Sequence, residues 1–410
     1  MQNIAIVGAG YGGVLTALGL SKKFKNDPSV SITLIDKHNY QLFAANLYEL
    51  ATAEEEFVTM AQLKKSITIP LKEIFQTTKV RLVTAEVTEI DQRHKTLTAG
   101  ISKIPYNYLV VATGSESDYF NIEGAEKYST PLKSLPNALF IQNKIEFAIG
   151  AHRLDVNKKN IRIVVAGGGY TGVEFAAELS GMISIIAFKN QYPREKIDLV
   201  IVEAMPQLIP GLNDRMSKDA LFKLKEQGVR VMLSSPIFRI DEHFVELVSG
   251  EKMEYDVLVW TTGVKAKSLP FLEPIASDRK GRLNTNSFFQ VEKYEDIFAI
   301  GDCACVLNKD GRPAPPTAQD AIEHGEYLVS AIPLIMQNKK PAAYVGVKHG
   351  FIVTLGGRWA ILSFEPFYIK GVFAYVAREL AHVNYYRKVV GIWKAIKYVW
   401  FQVDLYGRND

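Results

Sequence analysis

The run Ile4-Ala5-Ile6-Val7 passes directly into Gly8-Ala9-Gly10-Tyr11-Gly12-Gly13 and then into an apolar helical pattern, and no other stretch restricts the fold as strongly. In a strand, turn and helix of this kind each glycine of GxGxxG has its own duty. Gly8 permits the tight turn, Gly10 lets a pyrophosphate reach the backbone, and Gly13 brings helix against strand. A bound diphosphate would face the positive end of the helix dipole. Because a packing turn can share this pattern, its meaning depends on the remainder of the chain.

The next strand, over 31–35, ends at Asp36, whose carboxylate can accept both hydroxyls of an adenosine ribose. The acid comes somewhat later than the usual spacing of roughly 20 residues, and a loop at 26–29 accounts for the excess. The whole pattern then recurs. Residues 161–166 form a second apolar strand that runs into Gly167-Gly168-Gly169-Tyr170-Thr171-Gly172, a helix over 173–182 and a strand over 198–202 that ends at Glu203. Two copies in strand-helix-strand context argue for two bound dinucleotides. Glu203 would repel a 2′-phosphate and no arginine follows it closely, which favours NADH over NADPH.

Each half also carries a buried strand ending in a small turn, Ala112-Thr113-Gly114 in one and Trp260-Thr261-Thr262-Gly263 in the other. Between the motifs we expect a polar, aromatic helix-and-loop region over 40–60 closed by Glu54-Glu55-Glu56, and an antiparallel insertion made of strands 80–83, 86–91 and 96–98. A hairpin over 246–252, a strand over 296–300 leading to Gly301-Asp302, and a helix opening at Thr317 come next. From about residue 344 the pattern reads as a separate C-terminal region.

A chain of 410 residues has room for two or three domains. Its net charge of +4 does not gather with aromatics on one face, so a nucleic-acid partner is not expected. Cys303 and Cys305 are too few for a disulfide framework and have neither zinc nor CxxC spacing; buried packing beside a helix start suits them better than redox chemistry. The histidines show no ligand spacing, and no metal is assigned. The first strand follows Met1-Gln2-Asn3 with no basic leader, so no signal peptide is expected. No apolar run is expected to reach the roughly 20 residues of a membrane span. Over 385–401, Val389, Trp393, Ile396 and Trp400 share one helical face flanked by Arg387, Lys388, Lys394 and Lys397. That is the pattern of a basic amphipathic helix on an anionic membrane surface, or else of a core or dimer-packing helix.

Together the Gly8 motif, Ala112-Thr113-Gly114, the Gly167 motif with Glu174, Trp260 to Gly263, Ala299-Ile300-Gly301-Asp302 and Pro316-Thr317-Ala318-Gln319 resemble the type II NADH:quinone oxidoreductases, a branch of the two-dinucleotide-binding-domain flavoproteins. The resemblance implies an α/β fold with two Rossmann-like dinucleotide-binding domains and a C-terminal membrane-associating α/β region. FAD would occupy a discontinuous domain, 1–115 with 265–343, through Gly8, Gly10, Gly13, Asp36, Thr113, Gly114, Gly301 and Asp302. NADH would occupy 116–264 through Gly167, Gly169, Gly172, Glu203 and Gly263, and 344–410 would serve membrane attachment or dimerisation. Glu174 matches a family acid near the nicotinamide and flavin. Gln319 and Glu323 fall on the family's quinone segment, AQxAxQ, with glutamate here in place of the second glutamine. Lys388 matches a family lysine that approaches the flavin. The activity implied is hydride transfer from NADH to FAD and then electron transfer to a membrane quinone, without proton pumping, by a peripheral enzyme on the cytoplasmic face. The residues leave two rivals open: a soluble NADH-dependent flavin reductase with a protein or disulfide acceptor, and an NADH-binding sensor that no longer turns over.

Overall fold

The computed structural model describes the chain except residues 54–58, 155–159, 190, 212, 308–312, 314, 348, 365 and 408–410. Two five-stranded parallel sheets organise it. In the first, the order across the sheet is Ile297–Ala299, Tyr108–Val111, Gln2–Val7, Val30–Asp36 and Arg81–Thr84. In the second it is Thr130–Pro131, Val257–Trp260, Ile161–Ala166, Ile197–Val202 and Arg230–Met232. Each sheet puts its glycine-motif strand in the centre, where a strand must be apolar on both faces. Ile4 to Val7 and Ile163 to Ala166 are accordingly all buried.

A three-stranded antiparallel sheet is attached to each unit: Val87–Asp91, Thr96–Ala99 and Ser102–Pro105 in one, Ile237–Ile240, Phe244–Leu247 and Lys252–Glu254 in the other. The strand expected at 80–83 lies outside the first of these. It continues the parallel sheet as Arg81–Thr84, because Leu82 and Val83 pair with Leu34 and Ile35. Region 40–60 contains a strand, Tyr40–Leu42, that pairs with Thr68–Pro70, then the helix Leu47–Ala51, which packs into the core of the second unit. The acid run Glu54 to Glu56 lies outside the described residues.

The helix Tyr11–Lys23 runs parallel to Ala318–Met336. Gly12 faces Ala321, Thr16 faces Gly325 and Gly19 faces Val329, so small residues let the two axes approach and set their N-termini side by side. That convergence brings two positive helix ends to one place.

Three further features depart from the sequence expectation. The second glycine-motif helix, Tyr170–Lys189, is long and apolar enough to cross a membrane, although no such run was expected; two thirds of its most apolar window (67%) is buried, so its composition reflects burial in the second unit. The amphipathic stripe over 385–401 is split. Gly391, at φ +85°, ends one helix, Val372–Val390, and starts another, Ile392–Tyr406. Val389 therefore turns into the core at 5% exposure, while Trp393 (83%), Ile396 and Trp400 (70%) stay on the surface. The C-terminal region is also less separate than expected: its strands Phe351–Thr354 and Ala360–Phe364 feed the second unit's core, and its helices mainly the first's.

Candidate functional site

At the first loop the three glycines divide their work as the motif requires. Gly8 has φ +107°, and a Cβ there would meet Ala112 O at 2.3 Å. A Cβ on Gly13 would come within 1.9 Å of Gly8 O, whereas one on Gly10 would meet nothing within 4 Å. The open space belongs to a cleft of about 610 Å³. Asp36 is half-buried at its rim and braces the loop, accepting from Ala9 N at 2.7 Å and from His38 N at 2.7 Å. One lone pair on each oxygen remains for ribose hydroxyls.

Further along the cleft lie Thr113, Ser115, Lys133 and Lys267. Lys133 Nζ donates to Ser115 Oγ at 2.9 Å, and that hydroxyl donates to Asp302 Oδ2 at 2.5 Å. Burial lowers the Lys133 pKa, and Asp302 acts against that shift. Gly114 takes φ +70°, and Gly301 donates its N–H to His324 Nδ1 at 3.1 Å. Burial pushes His324 down to about 4, so a neutral ring accepts that bond and carries its proton on Nε2. Thr317 caps the neighbouring helix by accepting from Asp320 N at 3.1 Å. Among the described residues the cleft thus presents the N-terminus of Tyr11–Lys23, with that of Ala318–Met336 packed beside it, a half-buried ammonium and an unfilled glycine face, and these features fit a large anionic dinucleotide.

The second loop repeats the geometry. Gly167 has φ +108°, a Cβ on Gly172 would meet Gly167 O at 2.0 Å, and Gly169 faces open space. Glu203 is buried and accepts from Gly168 N at 2.5 Å and Met205 N at 2.7 Å. Thr262 Oγ1 and Tyr170 Oη, both buried near this loop, have no hydrogen-bond partner among the described residues. Such orphaned groups fit a ligand that would satisfy them. Gly263 meets the Phe120 ring, which a Cβ would approach to 2.6 Å.

Glu174, at the start of the second turn of the second helix, is half-buried and accepts from Thr354 N at 3.2 Å and Thr354 Oγ1 at 3.1 Å. Burial raises its pKa to about 7, against the pull of those bonds and of Arg378. From Thr354 a polar chain continues. Its hydroxyl is 2.8 Å from Tyr48 Oη, Tyr48 adjoins Glu49, and Arg378 pairs with Glu49 at 2.6 Å and with Glu379 at 2.8 Å. Burial likewise lifts Glu49 to about 7 despite its partner.

Arg378 is therefore the cation that the C-terminal region brings toward Glu174. Lys388, the lysine that the resemblance brings toward the flavin, pairs with Glu326 of Ala318–Met336. The reason is helical phase: Arg378 sits on the buried side of Val372–Val390, and Lys388 in its last turn reaches the neighbouring helix. Gln319 is exposed in the first turn of Ala318–Met336, and Glu323 follows one turn later on the same helix. Glu323 is held by His349 Nε2 at 2.7 Å and by Tyr344 Oη at 3.2 Å. Cys303 is buried, its thiol donating to Ile300 O at 3.2 Å, and burial raises its pKa. Both cysteines are free and act as packing groups.

Ser115, Lys133, Tyr48, Glu49, Thr354, Arg378, His324 and His349 went unread in the sequence. None sits in a recognisable spacing. The one legible hint was the polarity of Glu49 and Arg378 inside otherwise apolar helical stretches.

The pyridine nucleotide-disulphide oxidoreductase family pattern matches residues 2–325. A type II NADH:quinone oxidoreductase from Staphylococcus saprophyticus is 30% identical over 361 residues, 87% of this chain and 88% of that protein. The protein of the same name from Staphylococcus aureus is also 30% identical over the same shares. Among solved structures, NDH2 from Plasmodium falciparum in complex with NADH superposes with a TM-score of 0.87 at 20% identity, covering 99% of both chains. The sulfide:quinone oxidoreductase of Aquifex aeolicus superposes at 0.76 and 20% identity, covering 95% of this chain and 92% of that one.

Proposed function

The chain belongs to the type II NADH:quinone oxidoreductases within the pyridine nucleotide-disulphide oxidoreductase family, and from that premise we infer an FAD-dependent enzyme that takes hydride from NADH and passes two electrons to a quinone. The observation that carries this reading is a matched pair of glycine loops, one opening on a cleft, with the half-buried acid Glu174 near the start of the other's helix. FAD, when bound, accepts a hydride and releases the electrons onward. The protein's part is placement and control of charge.

The first loop, with Asp36, Thr113, Gly114, Gly301 and Asp302, holds FAD in a domain made of 1–115 and 265–343. Gly167, Gly169, Gly172, Glu203 and Gly263 admit NADH to the domain 116–264. Glu174 carries a proton about half the time near neutrality, which suits it to settle charge beside the nicotinamide. Gln319, exposed at a helix N-terminus, can donate an amide hydrogen to a quinone carbonyl, with Glu323 beside it. Lys388, paired with Glu326, is the lysine that the C-terminal helix would bring to the flavin side of Ala318–Met336.

The C-terminal surface supports residence on a membrane. Phe364, Phe367, Val372, Phe373, Val376 and Leu380 are all exposed, as are Trp393, Ile396 and Trp400. An apolar face of this extent with tryptophans and Lys397 suits a lipid interface on the cytoplasmic side, where a lipid-dissolved quinone can be reached. Trp393→Ala with Trp400→Ala should weaken binding to anionic vesicles at least tenfold, measured by co-sedimentation. Unchanged vesicle binding with loss of dimer on sizing would assign the face to a second copy instead.

Mixing the FAD-loaded protein with NADH under argon tests the reaction itself. The flavin band should bleach and then recover when a quinone is added. Absence of bleaching would remove the enzyme reading, and bleaching without recovery would remove the quinone.

A further inference from the structure

Both carboxylate oxygens of Glu323 are engaged from outside its own helix. His349 Nε2 lies 2.7 Å from Oε1, and Tyr344 Oη donates to Oε2 at 3.2 Å. Tyr344 is itself fixed against Phe289, with ring centroids 4.8 Å apart, and edge-on to His324 at 5.2 Å. His349 is different: its side chain keeps 23% of its surface in contact with solvent, against 16% for Glu323. The two side chains thus form an acid–imidazole pair with a wet end and a drier end.

The pair sits beside the groups assigned to the acceptor. Glu323 is one helical turn beyond Gln319, and Asp320, on the same helix, feels His349, Glu323 and Asp302. The chain leaving His349 also becomes the strand Phe351–Thr354, whose last residue holds Glu174. Five residues of extended chain span at most about 17 Å. One short segment therefore ties the acid assigned to the reductant side to the acid assigned to the acceptor side.

We propose that His349 reloads Glu323 with the proton that quinone reduction consumes, so that the Glu323–His349 pair replaces an amide with a proton relay. The inference rests on the reading of Gln319 and Glu323 as the quinone locus. Reduction of a quinone to a quinol takes two electrons and two protons. NADH, as the hydride donor, would supply the two electrons and one of the protons, with FAD as the carrier between donor and acceptor. The second proton passes from the Glu323 carboxyl to a quinone oxygen, breaking one O–H bond and forming another. The carboxylate left behind takes the proton on His349 Nε2 as Nδ1, on the other edge of the ring, takes one from solvent, and tautomer exchange through water then returns a proton to Nε2. Asp320, Tyr344 and His324 are the titratable neighbours of the pair, with Asp302 beyond Asp320. Tyr344 and His349 both touch Glu323 and both are half-buried, but imidazole is the side chain suited to exchanging protons near neutral pH. Tyr344 holds its proton too tightly, because burial raises its pKa.

The experiment uses FAD-loaded wild type, His349→Asn and His349→Ala. With the flavin first bleached by NADH, stopped-flow reoxidation by quinone should be about 100-fold slower at pH 7 in both variants. The wild-type rate should fall as the solution is made alkaline, and the rates of both variants should not. Imidazole added to His349→Ala should restore much of the rate, which repair of a merely structural contact would not do. Independently of turnover, ¹⁵N-histidine NMR should show an imidazole signal that vanishes in His349→Asn and whose titration moves in Glu323→Gln. Reoxidation in His349→Asn with the wild-type rate and pH profile would overturn the relay, as would a His349 signal indifferent to Glu323→Gln. If the bleached wild type itself fails to recover with quinone, the acceptor assignment falls and the relay with it, a result distinct from failure of the relay alone.

Discussion

The two glycine loops are nearly the same object. Their first glycines take φ +107° and +108°, and their third glycines stand within 1.9 and 2.0 Å, by Cβ position, of the first glycine's carbonyl. Their middle glycines both face open space. What differs is the cover. The first loop lies beside the N-terminus of Ala318–Met336, with Lys133 and Lys267 lining the cleft further along. The second is backed by its own following loop: Ile209 N–H donates to Gly168 O at 2.7 Å, and Leu208 packs so close that a Cβ on Gly168 would stand 2.6 Å from it. Local sequence therefore makes a dinucleotide cradle. Whether the ligand stays or leaves is decided by elements that arrive from elsewhere in the chain.

The sharpest way to break the equivalence is to damage each loop in turn. Gly8→Ala forces a Cβ at positive φ into Ala112 O and should cost on the order of 3–5 kcal/mol, giving protein that holds no flavin by absorbance. Gly167→Ala meets the backbone of Thr262 at a similar distance, yet it should leave a yellow protein that NADH does not bleach. Loss of flavin from Gly167→Ala with retention in Gly8→Ala would reverse the assignment.

A milder pair compares the acids. Glu203→Ala removes two loop hydrogen bonds along with the ribose acceptor and should raise the KM for NADH about tenfold in steady-state assays, with flavin content unchanged. Asp36→Ala should instead shed flavin during gel filtration.

The acid between the loops gives a pH signature. Burial raises Glu174 to about 7, so the folded chain keeps a proton that the unfolded chain releases above its ordinary 4.5. That contribution to stability is complete below about 4.5 and is lost as pH rises through about 7. Thermal melting of the Glu174→Gln variant should therefore decline less than wild type between about pH 5 and about pH 8. Glu49, raised in the same direction, leaves a residual slope in both proteins.

The smallest effect belongs to the thiols. Cys303→Ala with Cys305→Ala should leave quinone-linked turnover unchanged and cost about 1–2 kcal/mol of stability in denaturant melts, since both side chains only fill buried space. A loss of turnover would revive a thiol acceptor.

Sequence alone determined what depends on backbone neighbours. Strand, turn and helix at Gly8 and Gly167, the acids Asp36 and Glu203, and the repeated order of the two halves were legible because close packing of glycine against backbone is written within a short stretch. Beyond such stretches the reading weakened. The strand Arg81–Thr84 was assigned to the wrong sheet, since register depends on a partner far away in sequence. The stripe from Val389 to Trp400 was read as one face, since a single Gly391 at positive φ turns the chain. Tertiary structure alone decided that Arg378 reaches toward Glu174, that Thr354 holds that acid, and that His349 meets Glu323. Those contacts join residues separated by long stretches of chain. Each depends on which face of a helix is buried, and packing against a distant partner sets that face.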